Sequence, residues 1–196
     1  YFQNNVANTT NLLQITQKFA INKFLFSSTA AVYGEPKEHS PIQESAIPNP
    51  INPYGESKLM IEKILYALQV ANPNFKSVIL RYFNVAGALM DKQGALGQRT
   101  KNATHLIKVA CECATNKRAK MQIFGSDYET RDGTCIRDYI HIDDLASAHF
   151  FALQSLLESQ TSEIYNVGYG KGFSVKEVID CVKKVSGKDF VVESAK

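Results

Sequence analysis

Apolar residues recur along this chain in two alternating rhythms. Leu59, Ile61, Ile64, Leu65 and Leu68 fall at helical spacing behind Pro53, a residue suited to a first helical turn, and predict a helix over residues 54–70. Short apolar runs at 23–28 and 78–83 predict buried strands, with a helix at 4–19 before the first and a proline-rich loop at 36–53 after it. Helices alternating with strands in this way describe an α/β protein, here half of a doubly wound parallel sheet. Beyond Gly87 the rhythm loosens. A Gly/Gln-rich loop is expected at 94–98, a helix at 103–114 and a strand at 122–124, so a second domain begins here. Asp143 and Asp144 open a predicted helix running to Leu157, because acidic groups suit a helix N-terminus. A strand at 163–167 follows, then a helix at 174–185 capped by Ser174 with Glu177 three residues on.

Composition narrows the function classes. With 196 residues, 44% of them hydrophobic, the chain can bury a sizeable core in one or two domains, and its formal charge of +3 is too slight to imply nucleic acid. The basic cluster 117–120 reads as solvated surface, and no apolar stretch has the length of a membrane span. Cys111, Cys113, Cys135 and Cys181 form no Cys-x-x-Cys pair, and His39, His105, His141 and His149 lack ligand spacing. No metal site is expected; reduced, mostly buried thiols in a cytoplasmic protein are the reading.

The chemistry concentrates in Tyr54-Gly-Glu-Ser-Lys58. Residues four apart share a helix face, so Tyr54 and Lys58 point at one crevice, where an ammonium is expected to lower the phenol's pKa from its reference of about 10. Tyr33-Gly-Glu-Pro-Lys37 repeats the spacing, but Gly34 and Pro36 make it a turn. Ser27, Ser28 and Thr29 stand where the first strand ends, and ligands of open parallel sheets bind outside such ends. Their hydroxyls are therefore expected to face the crevice.

These motifs resemble the extended short-chain dehydrogenase/reductase family of nucleotide-sugar enzymes, and most closely its UDP-glucose (UDP-galactose) 4-epimerases. The similar segments are 4–6, 26–34, 53–58, 81–84, 104–107, 123–125, 133–141 and 165–168, in the family's order. The resemblance implies a Rossmann-like NAD-binding domain, at 1–86 and again at 136–170, and a smaller substrate-binding domain at 87–135 and 171–196. It implies isomerisation of UDP-glucose and UDP-galactose, in galactose metabolism, through a 4-keto sugar. Tyr54 would be base then acid, Thr29 would hydrogen-bond the 4-hydroxyl, and Lys58 would bind the nicotinamide ribose. Asn4, Ser27 and Tyr82 would join Tyr54 and Lys58 at NAD. Phe83, Asn84, Thr104, His105, Leu106, Arg137 and Tyr139 would join Thr29 at the substrate, and Ile123-Phe124 would be either the uracil-side wall or core strand. Arginine's planar fork suits a diphosphate, and a helix start such as 104–106 suits anions. A dehydratase, a decarboxylase or a non-catalytic binding relative are the alternatives. The family's glycine-rich turn, Gly-x-x-Gly-x-x-Gly, does not occur. The chain thus reads as an internal fragment, inactive alone, of a protein that pairs as a homodimer through the helices at 4–19 and 54–70.

Overall fold

The computed structural model describes residues 1–35, 41–91, 94–159 and 161–195; Pro36, Lys37 and His39, named above, lie outside them. In chain order the elements are α1 (Asn8–Lys18), β1 (Lys23–Ser27), α2 (Pro53–Ala71), β2 (Lys76–Tyr82), β3 (Asn84–Ala86), β4 (Leu89–Asp91), β5 (Gly94–Leu96) and α3 (Leu106–Ala114). There follow β6 (Lys120–Phe124), β7 (Ile136–His141), α4 (Ile142–Glu158), β8 (Glu163–Val167), β9 (Gly172–Ser174), α5 (Val175–Ser186) and β10 (Val191–Ala195). A π-helical turn, Phe2–Ala7, leads into α1, and a 3-10 turn, Ala30–Tyr33, follows β1. Two compact units result, residues 1–85 with 143–168 and residues 86–142 with 169–196.

The first unit is built on a parallel sheet in the order β1-β2-β8, with Phe26 beside Ile79 and Ile79 beside Ile164. Pleating sends alternate residues of β2 to opposite faces. Ile79 joins Leu13 of α1, Ile61 and Leu65 of α2, Phe26 and Phe75 in one core cluster. Leu80 instead borders a cleft with Ala148 and Ala152 of α4. Helices thus cover both faces, as the doubly wound expectation requires. Ile61 and Leu65 are fully buried, and truncating either to alanine costs roughly 2–5 kcal/mol. Asn72 ends α2, its N–H donating to the Leu68 carbonyl at 2.8 Å, and Pro73 prevents continuation.

In the second unit α3 packs on α5, and β6 pairs in parallel with β10. Val109, Ala110, Cys113, Met121, Ile123 and Ile179 form its core. Ser174 and Glu177 complete the predicted capping box, and Gly187 ends α5 in the left-handed region at φ 63°. Three expectations differ. The loop expected at 94–98 begins as a strand, because Gly94–Leu96 pairs antiparallel with Leu89–Asp91. The return to the first unit, expected at 136, comes at Asp143, because β7 pairs antiparallel with β9 of the second unit. The thiols are free but not mostly buried: Cys111 and Cys181 are exposed, and only Cys113 is fully interior. Among the described residues no helix is long and apolar enough to cross a membrane.

Candidate active site

Asn52 opens α2, its Oδ1 accepting the Gly55 N–H at 2.9 Å, with Pro53 in the first helical position. Tyr54 therefore projects from the first turn. Gly55 lets that turn approach the 3-10 turn, for a Cβ on it would lie 2.5 Å from the Ala31 carbonyl oxygen. The facing residue, Thr29, caps the 3-10 turn, its Oγ1 accepting the Ala31 N–H at 3.2 Å. Close approach brings the two side chains together, with the Thr29 hydroxyl near enough to the Tyr54 phenol to favour its ionised form. Ser57, fully buried, ties the turn down: it donates to the Tyr54 carbonyl at 2.7 Å and accepts from the Asn5 amide at 3.0 Å. The neighbouring Asn4 is exposed.

One turn on, the Lys58 ammonium donates to the Ser27 carbonyl at 2.9 Å and sits 5.1 Å over the Phe26 ring. Tyr54 and Lys58 are half-buried on one face of α2, as their spacing predicts. Their electrostatics depart from expectation. Burial holds the Tyr54 phenol above its ordinary value; the nearby Thr29 hydroxyl pulls it back, while Tyr82 and Tyr1 add to the rise. Burial also lowers Lys58, and its ammonium is engaged by Ser27 and Phe26 rather than by the phenol. A lowered phenol pKa is therefore not a property of this chain by itself.

The three hydroxyls do not all face the crevice. Ser27 Oγ meets His149 Nε2 of α4 at 2.9 Å, and Ser28, fully buried, donates to Glu62 of α2. Only Thr29 reaches the tyrosine. Glu62 belongs to a buried network that the sequence reading missed. Its carboxylate accepts Arg81 Nη2 at 2.6 Å and Nε at 3.2 Å, and Arg81 Nη1 donates to the Tyr33 hydroxyl at 2.9 Å. Tyr33 donates in turn to Asn166 Oδ1 at 2.7 Å, and Asn166 holds the Ile42 carbonyl at 2.8 Å. A signal existed. Glu62 continues the face of Tyr54 and Lys58 by one more turn, and Arg81 interrupts an otherwise apolar strand.

Tyr82 ends β2 with its ring 6.2 Å from that of His149; Phe83 donates its N–H to the Val167 carbonyl at 3.2 Å, and Asn84 is exposed. In the second unit, Thr104 and His105 precede α3 and are exposed, His105 meeting Gln98 Nε2 at 3.0 Å through Nδ1. Thr104, Leu106, Ile123 and Phe124 line a cleft with Arg118 and Lys120. Alternation along β6 separates the predicted pair, so that Ile123 is buried in the core and Phe124 is 71% exposed. Arg118 is paired with Glu112 and Lys120 with Glu193, as a solvated basic cluster would be. On β7, Arg137 is exposed with Nη1 on the Ile136 carbonyl, and burial raises the half-buried Tyr139 phenol. Asp138 accepts the N–H groups of Tyr169 at 3.2 Å and Gly170 at 2.7 Å, a structural task.

Comparison with known proteins adds a family. The NAD dependent epimerase/dehydratase family profile matches residues 1–168. The UDP-glucose 4-epimerase of Azospirillum brasilense is 54% identical over 96% of this chain and 53% of its own length, and that of Halalkalibacterium halodurans is 47% identical over 100% and 57%. The chain thus spans about half the length of these relatives. Among solved structures, the UDP-Glc/GlcNAc 4-epimerase of Campylobacter jejuni is 59% identical, with TM-score 0.79 over 100% of this chain and 58% of its own. The Brucella ovis UDP-glucose 4-epimerase in complex with NAD is 40% identical, with TM-score 0.92 over 100% and 59%. With its parallel sheet, its tyrosine and lysine one turn apart and these matches along its length, the chain belongs to the NAD dependent epimerase/dehydratase family.

Proposed function

We propose that the protein containing this chain is a UDP-hexose 4-epimerase that interconverts UDP-glucose and UDP-galactose with NAD held in place. The observation that carries this reading is the cluster of Thr29, Tyr54 and Lys58 at the carboxyl end of β1. An ammonium has three N–H donors, and Lys58 commits one to the Ser27 carbonyl. The remaining donors suit the paired hydroxyls of a nicotinamide ribose, so this donor set fits NAD. When bound, NAD supplies reversible acceptance of a hydride. Tyr54 takes the proton of the sugar 4-hydroxyl and later returns it, with Thr29 hydrogen-bonded to the same oxygen and Lys58 favouring the phenolate once the site is filled. The 4-keto sugar turns over between the two transfers, and configuration inverts without net oxidation.

Asn4, Ser27 and Tyr82 are assigned to the NAD side, and Phe83 and Asn84 to the substrate. From the second unit, Thr104, His105, Leu106, Ile123, Phe124, Arg137 and Tyr139 are assigned to the UDP-sugar. The cleft that holds Thr104, Leu106, Ile123 and Phe124 supports this, as does the exposed Arg137 guanidinium. Exposed Leu12 and Ile15 on α1 and Tyr66 and Val70 on α2 support a homodimer paired through these helices. Free thiols at all four cysteines support a cytoplasmic location.

Elimination and decarboxylation need further acid–base groups near the 4-keto sugar. Thr29 is followed here by Ala30 and Ala31, whose methyl groups exchange no protons. The test uses a protein of the relatives' full length that contains this chain. Supplied with UDP-glucose it should form UDP-galactose, and Tyr54→Phe should lower turnover by roughly 10²–10⁴-fold with little loss of UDP-sugar affinity. A 4-keto-6-deoxy sugar as main product would overturn the reading. UDP-GlcNAc belongs in the same assay, because the Campylobacter jejuni relative bears both sugars in its name.

A further inference from the structure

His149 lies on α4, remote in sequence from the tyrosine and lysine, yet its ring is wedged against the ends of β1 and β2. Nδ1 meets the Leu145 carbonyl oxygen at 2.8 Å. A carbonyl only accepts, so Nδ1 carries a proton, and in the neutral ring Nε2 is left with a lone pair. Nε2 meets Ser27 Oγ at 2.9 Å, and Ser27 must therefore be the donor. Its single hydroxyl proton is directed at α4. The same residue's carbonyl accepts the Lys58 ammonium at 2.9 Å. Ser27 is thus pinned twice, by its side chain to α4 and by its main chain to α2. The Tyr82 ring lies 6.2 Å from the imidazole and is tilted by 50° to it.

From this chain of contacts we propose that His149 is a positioning residue for the Lys58 ammonium, acting through Ser27 as a neutral ring protonated on Nδ1. It rests on the reading of Lys58 given above and extends it to a residue of α4 that makes no hydrogen bond to Lys58 and reaches it through Ser27. The physical logic is that of a metal ligand's outer partner, where one hydrogen bond fixes the tautomer and the tautomer fixes the next bond. Lys58 hangs on the last residue of β1, where the Ser28 N–H donates to the Leu80 carbonyl at 2.8 Å before the chain leaves the sheet. Without the imidazole the Ser27 peptide, still tied to β2 by that bond, can change its tilt, and the carbonyl loosens its hold on the ammonium.

Two measurements on the chain itself test this without turnover. Nitrogen NMR of the unaltered protein should show His149 Nδ1 protonated and Nε2 bare; the opposite tautomer would overturn the proposal. Competitive acetylation of lysines across pH, read by mass spectrometry, gives the titration of Lys58 alone. In His149→Phe, which keeps a ring against Tyr82, the Lys58 titration should move up toward its ordinary value of about 10.4. His149→Gln, which can still accept from Ser27, should recover at least half of that movement. Lys58 unmoved in a folded His149→Phe, or Gln behaving as Phe does, would sink the idea. Loss of epimerisation in the full-length protein is read separately, so a failed function assignment leaves these outcomes interpretable.

Discussion

Replacing Glu62 by glutamine should destabilise the first unit far more than its single-atom change suggests. The Glu62–Arg81 pair is 5% exposed on each side, so solvent screens it little. Its carboxylate accepts from Arg81 Nη2, from Arg81 Nε and from Ser28, and a glutamine must turn an amide N–H₂ toward at least one of those donors. At least one charge-assisted bond is lost and the buried guanidinium is left without its counter-charge, and removing one partner of a buried pair costs roughly 3–5 kcal/mol. Domains of this size are stable by only about 5–15 kcal/mol. With a urea slope of about 2 kcal/mol per molar, the unfolding midpoint of this unit should fall by about 2 M. Hydrogen exchange read on peptides of β1 and β2 along a urea series isolates this unit from the other. A loss under about 1 kcal/mol would refute the reasoning, since that is the worth of a solvent-screened pair. Glu62→Met with Arg81→Met together should cost less than either alone, because no charge is stranded. The pair should still cost something, since Tyr33 and Ser28 would each lose a partner.

Two further outcomes follow from the titrating groups. Without cofactor, Tyr54 should ionise above the ordinary phenol value, and Thr29→Val should push it higher still, since the hydroxyl favours the phenolate; the alkaline ultraviolet difference between each protein and its Tyr54→Phe counterpart reads this, and ionisation at or below the ordinary value would count against it. The folded chain holds that proton longer than the unfolded one, so stability drains as pH rises past about 10. In the second unit Asp132 is lowered from 3.8 to about 2 by hydrogen bonds from Ser174 and Thr134. Its contribution is complete above the unfolded value and is lost as pH falls through about 2. Asp132→Asn should flatten the acid limb of a melting-temperature profile over that window, and an unchanged limb would contradict the assignment.

Much of the architecture was legible because local and global signals agreed. In α2 the cap, the N-terminal proline and the apolar stripe point the same way, and in α5 the capping box alone announces the helix. Elements with conflicting signals were harder to see. In β7, Arg137 and Asp138 interrupt the apolar pattern, and in β5 a glycine opens a short strand that only pairing with β4 creates. The tyrosine and lysine were found from spacing, while their pKa directions were not, because burial is a tertiary quantity.

Why neighbouring hydroxyls take unlike tasks follows from the pleat. Along β1 and just past its end, alternate side chains address opposite helices: Phe26 and Ser28 meet the α2 side, and Ser27 meets α4. The partner strand obeys the same rule, with Ile79 and Arg81 toward α2 and Leu80 and Tyr82 toward α4. A doubly wound sheet therefore claims each hydroxyl that remains in register with the pleat. Thr29 escapes because the chain has left the sheet: it caps the 3-10 turn, and Gly55 brings α2 close enough for Tyr54 to meet it. The hydroxyl beside Tyr54 is the first one beyond the reach of the sheet's alternation, and the two before it are taken up by His149 and Glu62.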